Sequence, residues 1–149
     1  MRLAPQEVRT YFVTAVTANR RRLFQMDSAA QLMLDVLRIY RAQEKFSLHA
    51  FVIMPDHLHL LLTPAPDVSL ERALQFIKGG FSFRLKNKRD VWEHSFNEVQ
   101  ILSAKKFQAF RRYIDENPVR ARLVDSEEAY PYSSAGLSAQ VDPIPSHFQ

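Results

Sequence analysis

The alternation and spacing of hydrophobic positions along this chain predict four strands and three helices. β-Branched and aromatic residues over 8–18 predict a first strand, and apolar residues at helical spacing over 27–44 predict a first helix. Residues 46–54 are apolar on both faces, apart from Ser47 and His49, which is typical of a strand in the centre of a sheet. The remaining elements are a strand over 57–63, a helix capped by Ser69, a strand over 97–102 and a helix capped by Ser103.

The order of these elements favours an α+β, ferredoxin-like fold. A split βαβ arrangement with an antiparallel sheet is followed by an added C-terminal helix, which carries Tyr113. Gly79 and Gly80 interrupt the apolar pattern of the second helix and predict either a kink or a close approach by a partner. Pro118 is predicted to end the third helix, because the residue before a proline disfavours the helical conformation.

Two histidines open the third predicted strand, at positions i and i+2. Because successive side chains of a strand alternate between its faces, His57 and His59 share one face. The opposite face carries three leucines, which we expect in the core: Leu58, Leu60 and Leu62. Two neighbouring imidazoles at the end of a buried strand can bind one metal ion, although both can equally be polar residues on a solvated face. His49 is a rival metal candidate, for which local packing or hydrogen bonding is the favoured explanation.

The third predicted helix offers a second group of polar side chains. Tyr113 and Asn117 are four residues apart and therefore share a helix face. A tyrosine hydroxyl can act as a nucleophile, and an amide oxygen one turn away can be a third metal ligand. The alternative is structural: a half-buried tyrosine whose asparagine neighbour caps the end of the helix.

The length and composition of the chain indicate one globular domain. Its 149 residues, 46% of them hydrophobic, are enough for a sizeable core, and no apolar run approaches the roughly 18 residues of a membrane helix. We expect a single domain over 1–149, with a core over about 8–124 and a surface tail over about 125–149. The polar N-terminus does not resemble a secretory signal, and the chain has no cysteine, so we expect a cytoplasmic protein without membrane association.

Basic residues outnumber acidic ones by 20 to 16 and fall into clusters. Such clusters fit a polyanionic partner, although a solvated surface explains the charge alone equally well. The candidate nucleic-acid contacts are Arg20, Arg21, Arg22, Lys78, Arg84, Lys86, Lys88, Arg89, Arg112 and Arg120.

Taken together, the histidine and tyrosine segments resemble a known family. His57-Leu58-His59 fits the His-hydrophobic-His motif of the HUH nucleases, and residues 113–121 resemble the tyrosine helix of the single-tyrosine transposases of bacterial insertion sequences. The closest branch is the one associated with repetitive extragenic palindromes. The resemblance extends over roughly residues 8–135 and includes the segments 54–56, 92–96 and 130–134. Two residues depart from the family pattern: Arg122, where many relatives have glycine, and Asn97, where an acidic residue or histidine is more familiar.

The resemblance implies a transposase that cleaves and rejoins single-stranded DNA. Tyr113 would be the catalytic residue and form a 5′-phosphotyrosine intermediate, while His57, His59 and Asn117 would bind a divalent metal ion, Mg or Mn. The implied partner is single-stranded, hairpin-forming DNA, with monomer and homodimer both open. The basic clusters would follow its backbone, and an aromatic residue such as Trp92 can stack on bases, although core packing is favoured for any one of these rings.

Two other functions remain open from the sequence. One is a non-catalytic, ferredoxin-like nucleic-acid-binding module, which would expose aromatic residues on its sheet face. The other is a two-histidine phosphodiesterase, which would require two separated His-x-Ser/Thr pairs, whereas this chain has one histidine pair.

Overall fold

The protein folds around one sheet, with helices on both faces. A computed structural model describes residues 7–86, 89–137 and 141–149. The strands are β1 (Thr10–Val16), β2 (Phe46–Met54), β3 (His57–Pro64) and β4 (Asn97–Ile101). The helices are α1 (Asp27–Ala42), α2 (Leu70–Leu85), α3 (Ala104–Arg120) and α4 (Ser134–Leu137). Single 3-10 turns cover Ala18–Arg20, Leu23–Gln25, Glu127–Ala129 and Ser146–Phe148.

The sheet has the strand order β2-β3-β1-β4, and all neighbouring strands are antiparallel. This topology confirms the predicted ferredoxin-like arrangement with an added helix. The prediction that residues 46–54 form a central strand is wrong, because β2 lies at an edge of the sheet. Its residues are apolar on both sides because helices cover both faces of the sheet, not because strands flank it on both sides.

The two faces of the sheet form two separate cores. On one face, Leu58, Leu60 and Leu62 of β3 pack against α1 and α2, as predicted. On the other face, α3 covers a smaller cluster that includes Phe12, Val52, Leu61, Phe107 and Ile114. The even-numbered leucines of β3 therefore belong to the first core, and the face that carries His59 belongs to the second.

The helix boundaries follow local sequence signals. The hydroxyls of Ser69 and Ser103 accept hydrogen bonds from backbone N–H groups in the first turns of α2 and α3, at 3.0 and 3.2 Å, and so cap both helices as predicted. Gly79 and Gly80 do not break α2. A Cβ atom at residue 80 would lie 2.6 Å from Cε2 of Tyr40, so the glycine permits a close approach between α1 and α2.

The end of α3 differs from the prediction. The helix continues through Pro118 to Arg120. Because Pro118 lies in the last turn, its missing N–H group removes a single hydrogen bond, and its ring is buried. Arg122 then adopts a φ of 60°, a left-handed conformation that favours glycine, at the position where the family resemblance implies glycine.

The C-terminal tail covers the outer edge of β2. The backbone N–H of Ile53 donates to the carbonyl of Tyr132 at 2.8 Å, and the N–H of Asp142 donates to the carbonyl of Leu48 at 2.7 Å. The Asp142 carboxylate accepts from the Leu48 N–H and forms two hydrogen bonds with Arg41. The predicted surface tail therefore pairs with backbone groups of a strand edge that would otherwise be open. Across the described ranges, no helix has the length and apolar character to cross a membrane.

Candidate functional site

The two predicted metal-binding histidines lie at the beginning of β3, on the face covered by α3. Their ring centroids are 4.8 Å apart and the rings are roughly perpendicular. His59 is buried, with 6% of its surface exposed, whereas His57 is partly exposed. The alternative in which both histidines lie on a solvated face is therefore excluded for His59.

Each histidine has a hydrogen-bond partner at Nδ1. Nδ1 of His57 donates to the Asp56 carboxylate at 2.6 Å, and Nδ1 of His59 lies 2.8 Å from the Thr14 hydroxyl. When Nδ1 carries the proton, Nε2 presents its lone pair, which is the tautomer that a metal ligand requires. Thr14 reaches His59 because the two residues are directly opposite in the β1–β3 pairing.

The local electrostatics favour neutral imidazole at His59. Burial, reinforced by the neighbouring His57, lowers the pKa of His59 to about 3. At Asp56, burial alone would raise the carboxyl pKa, but the hydrogen bond from His57 and the charges of His57 and Arg20 outweigh it and hold that pKa below its usual range. The Asp56 carboxylate therefore stays ionised near neutral pH and can orient His57.

His49 does not join this pair. It is 3% exposed, its Nδ1 lies 2.9 Å from the carbonyl of Pro143, and its Nε2 lies 2.8 Å from the Thr63 hydroxyl. The Pro143 carbonyl can only accept, so Nδ1 donates to it and Nε2 accepts from Thr63. With both nitrogens engaged, His49 has the structural role that was favoured from the sequence.

The structure brings Tyr113 of α3 to the histidine pair within the same chain. Its ring centroid is 5.4 Å from that of His59 and 5.9 Å from that of Phe12, with the rings nearly perpendicular in both pairs. The guanidinium of Arg120 lies over the Tyr113 ring at 4.9 Å and forms a 2.8 Å ion pair with Glu116. The tyrosine is thus fixed from several sides while 38% of its surface remains exposed.

The other tyrosines are placed less well for nucleophilic chemistry. Tyr130 is buried and its hydroxyl donates to the carbonyl of Ile53 at 2.6 Å; burial raises its pKa to about 12. The hydroxyl of Tyr40 accepts from Arg84 at 3.2 Å, between α1 and α2. Tyr11 and Tyr132 are both partly buried.

The donor set is compatible with a divalent metal ion. His57 and His59 supply two imidazoles whose Nδ1 atoms are already occupied, and Asn117 lies one helical turn from Tyr113. Among the described residues, the side-chain amide of Asn117 has no hydrogen-bond partner. No group of three or more His, Cys, Asp or Glu residues that could hold a metal is found in the described part of the chain.

The predicted DNA contacts fall into distinct environments. Arg20 and Arg120 lie beside the site, the first through a 3.3 Å ion pair with Asp56 and the second over Tyr113. Arg84 packs on Tyr40, and Nζ of Lys78 donates to the carbonyl of Glu93 at 2.9 Å, so both also have structural contacts. Arg22, Lys86, Arg89 and Arg112 are exposed, Arg21 is partly buried, and Lys88 lies outside the described residues.

Sequence reasoning missed the two side chains that orient the histidines. Asp56 had a local signal, because it directly precedes His57 in a tight turn. Thr14 had none, since its contact with His59 depends on the register between β1 and β3.

Comparisons with known proteins find similarity to transposases. A protein of Haemophilus influenzae assigned as a REP-associated tyrosine transposase is 27% identical over 145 residues, covering 83% of this chain and 78% of its own. A solved REP-associated tyrosine transposase bound to a REP hairpin has a TM-score of 0.78, with 24% identity over 97% of this chain and 87% of its own. A Deinococcus radiodurans protein assigned as a transposase has a TM-score of 0.56 and 23% identity, covering 78% of this chain and 95% of its own. These two structures support the fold.

The family assignment rests on the sequence match to the family itself. The family described as "Transposase IS200 like" matches residues 7–117, which include the histidine pair, Tyr113 and Asn117. The resemblance predicted from the sequence is therefore confirmed, and the chain belongs to the IS200-like transposases.

Proposed function

We propose that this protein cleaves and rejoins single-stranded DNA, with Tyr113 as the nucleophile. The observation that carries the proposal is the 5.4 Å separation of the Tyr113 and His59 rings within one chain. A nucleophile and a pair of available imidazole nitrogens at one point of the surface match what phosphoryl transfer to a protein side chain needs.

In the proposed reaction, the Tyr113 oxygen forms a bond to a backbone phosphorus. The bond from phosphorus to the 3′ oxygen breaks, and this oxygen leaves as a free 3′-hydroxyl with the proton that the phenol has lost. The product is a 5′-phosphotyrosine. Attack by a second 3′-hydroxyl reverses the step and joins two DNA ends, which suits transposition better than hydrolysis.

His57 and His59 would bind a divalent metal ion, Mg or Mn, with Asn117 as the third protein ligand. When bound, such an ion would polarise the scissile phosphate. The contacts of Asp56 and Thr14 support this role, because they hold each histidine at Nδ1 and leave Nε2 as the nitrogen for a metal ion. Imidazole ligands suit Mn²⁺ better than Mg²⁺, which favours oxygen.

Single-stranded DNA that carries a hairpin is the proposed substrate. Duplex DNA would hide the scissile phosphate, and the solved relative is described as bound to a REP hairpin. Arg20 and Arg120 flank the site and can pair with phosphates. Residues 72–89 contain no acidic residue, so this part of the sequence can contribute further positive charge.

The non-catalytic alternative has little support from the fold. A ferredoxin-like module that binds bases on its sheet would need an open sheet face with exposed aromatic rings. In the described residues, α1 and α2 cover one face and α3 covers the other, and Phe12 on the α3 face is buried.

Covalent trapping provides the direct test. The protein is incubated with labelled hairpin DNA that has single-stranded flanks, in the presence of Mn²⁺, and the adduct is mapped to a peptide. Tyr113→Phe keeps the ring and its packing, so we expect the adduct and cleavage to vanish while hairpin binding persists. Tyr132→Phe is the matched control and should retain the adduct. An adduct on Tyr130 or Tyr132, or normal cleavage by Tyr113→Phe, would contradict the proposal.

A further inference from the structure

An ion pair within α3 lies against the ring of Tyr113. Glu116 and Arg120 form this pair at 2.8 Å, and the guanidinium of Arg120 lies 4.9 Å from the centre of the Tyr113 ring. We propose that Glu116 and Arg120 are positioning residues, which hold the ring in the orientation from which its hydroxyl reaches the scissile phosphate. The inference rests on the proposed function and assigns Arg120 a role beyond that of a phosphate contact.

The orientation of Tyr113 depends on contacts to its ring. In the described part of the chain, its hydroxyl has no hydrogen-bond partner, so the oxygen is available for reaction but does not anchor the side chain. A long side chain in a helix has two common χ1 rotamers, and exposed side chains exchange rotamers rapidly. Because Tyr113 is 38% exposed, its ring contacts have to select the reactive rotamer.

These ring contacts come from the sheet and from α3. His59 and Phe12 belong to strands, and their ring centroids lie 5.4 and 5.9 Å from that of Tyr113. Arg120 belongs to α3 itself, and a cation over an aromatic face is attracted to it. Arg120 therefore adds a restraint from the helix to the two restraints from the sheet.

Glu116 keeps the guanidinium of Arg120 on the ring. Tyr113, Glu116 and Arg120 share one face of α3, because helical positions three and four apart are neighbours. The side chain of Arg120 is 55% exposed, and without a partner such a long side chain would occupy many rotamers. The carboxylate accepts a charge-assisted hydrogen bond from it, and the acid precedes the base along the helix, which is the more favourable order for such a pair.

The presence of Glu116 distinguishes positioning from phosphate binding alone. A carboxylate beside an arginine reduces the attraction of that arginine for a phosphate, so a simple phosphate contact would be stronger without it. A guanidinium has several N–H donors, and in the described residues Arg120 uses only the one that binds Glu116. Arg120 can therefore hold the nucleophile and still face a phosphate that approaches Tyr113.

Single-turnover cleavage and hairpin binding separate the two roles of Arg120. Glu116→Ala preserves the helix, since alanine is the best helix former, but removes the partner of Arg120. We expect the cleavage rate at saturating hairpin DNA with Mn²⁺ to fall roughly tenfold or more, because misplacement of a reacting group can cost about a hundredfold. The affinity for the hairpin should not fall. Glu116→Asp keeps the carboxylate and should recover most of the rate.

Asp35→Ala is the matched control for the lost charge. Asp35 forms an ion pair with Arg38 on α1, so this variant also removes the acid of a helical ion pair, but on a helix without the nucleophile. Its cleavage rate should equal that of the unmodified protein. A slower rate in Glu116→Ala alone therefore reports the contact with Tyr113 and not the change in net charge.

NMR of protein with ring-labelled tyrosine measures the position of Tyr113 without DNA, and Tyr113→Phe assigns its signal. Glu116→Ala should shift this signal and leave that of Tyr130 unchanged, and Glu116→Asp should restore it. An unchanged Tyr113 signal, or cleavage by Glu116→Ala at the normal rate or faster, would overturn the inference. Absence of the covalent adduct from the unmodified protein would instead refute the proposed reaction, because the ring signal is measured without cleavage.

Discussion

Two buried histidines face the same layer of the protein, yet only one has a nitrogen available for chemistry. His49 on β2 and His59 on β3 are 3% and 6% exposed, and burial lowers the pKa of both. His49 binds Thr63 through one nitrogen and Pro143 through the other, whereas the hydrogen bond of His59 is at Nδ1, to Thr14. Burial and neutrality make a histidine suitable as a ligand, but an unoccupied nitrogen decides whether it can act as one.

The surroundings of the two histidines explain this difference. The tail brings the Pro143 carbonyl to His49, and Thr63, which itself bonds Thr10 at 2.7 Å, occupies the other nitrogen. Around His59, the neighbours are mainly rings, including those of Phe12 and Tyr113, which fill space without occupying Nε2.

The largest expected effect is on cleavage. His59→Ala should reduce the cleavage rate by more than the roughly 10- to 100-fold that loss of an outer-shell partner causes, because it removes one of the proposed metal ligands. His49→Ala should lower stability, because the Pro143 carbonyl loses its donor, but the cleavage rate per folded molecule should stay close to that of the unmodified protein. The cleavage rates of both variants are measured on labelled hairpin DNA with Mn²⁺. Full cleavage by His59→Ala would refute the different roles of the two histidines.

The pH dependence of stability provides the next comparison, in protein free of metal. Because the folded pKa of His59 is about 3 and the unfolded value is near 6.5, the unfolded chain binds more protons between these values. The free energy of unfolding should therefore fall by a few kcal/mol in total as pH is lowered from about 6.5 towards 3. Denaturant titrations measure the free energy of unfolding at each pH. His59→Ala should diminish its fall at low pH more than His49→Ala does. An equal effect of the two variants would count against a larger pKa shift at His59.

Replacing the threonine partner of each histidine distinguishes a contact that orients a histidine for metal binding from one that only stabilises the fold. Thr14→Val keeps the shape of the side chain but removes the hydrogen bond to Nδ1 of His59, so we expect about 10- to 100-fold weaker Mn²⁺ binding or slower cleavage. Thr63→Val removes the partner of His49 and should reduce stability without changing Mn²⁺ affinity. Calorimetry of Mn²⁺ binding distinguishes the two, and equal affinities in both variants would contradict an orienting role for Thr14.

The smallest effect concerns the tail segment that supplies the partner of His49. Asp142→Asn weakens the ion pair with Arg41, which is about one-third exposed, so we expect a loss of stability of about 1 kcal/mol or less. Arg38→Gln, at the more exposed and longer pair with Asp35, should have a still smaller effect. Thermal unfolding measures both, and a larger loss for Arg38→Gln would argue against anchoring by Asp142.

Much of the fold followed from local sequence patterns. The alternation in 57–63 separated the leucine core face from the histidine face, and the serine caps marked where two helices begin. The edge position of β2 did not follow, because helices on both faces make an edge strand look like a central one. The prediction at Pro118 was wrong because the destabilisation that a proline causes depends on its position in the helix. The sequence did not show where α3 ends.

The proposed residues of the candidate site could be picked out from the sequence, whereas the side chains that hold the two histidines could not. The spacing of His57 and His59 indicated a shared strand face, and that of Tyr113 and Asn117 a shared helix face. The family resemblance implied that both faces belong to one site. The partners Thr14 and Pro143 are 45 and 94 residues away from the histidines they contact. Such contacts depend on strand register and on the path of the tail, which no local pattern encodes.

The separation of Tyr113 from the histidine pair along the chain has a consequence for protein synthesis. Chains grow from the N-terminus at roughly 5–20 residues per second, so β1 and β3 emerge seconds before α3. A nascent or prematurely released chain that ends before Tyr113 contains His57, His59 and most of the basic residues but lacks the proposed nucleophile. The ability to cut DNA would therefore arise only when most of the polypeptide has been made.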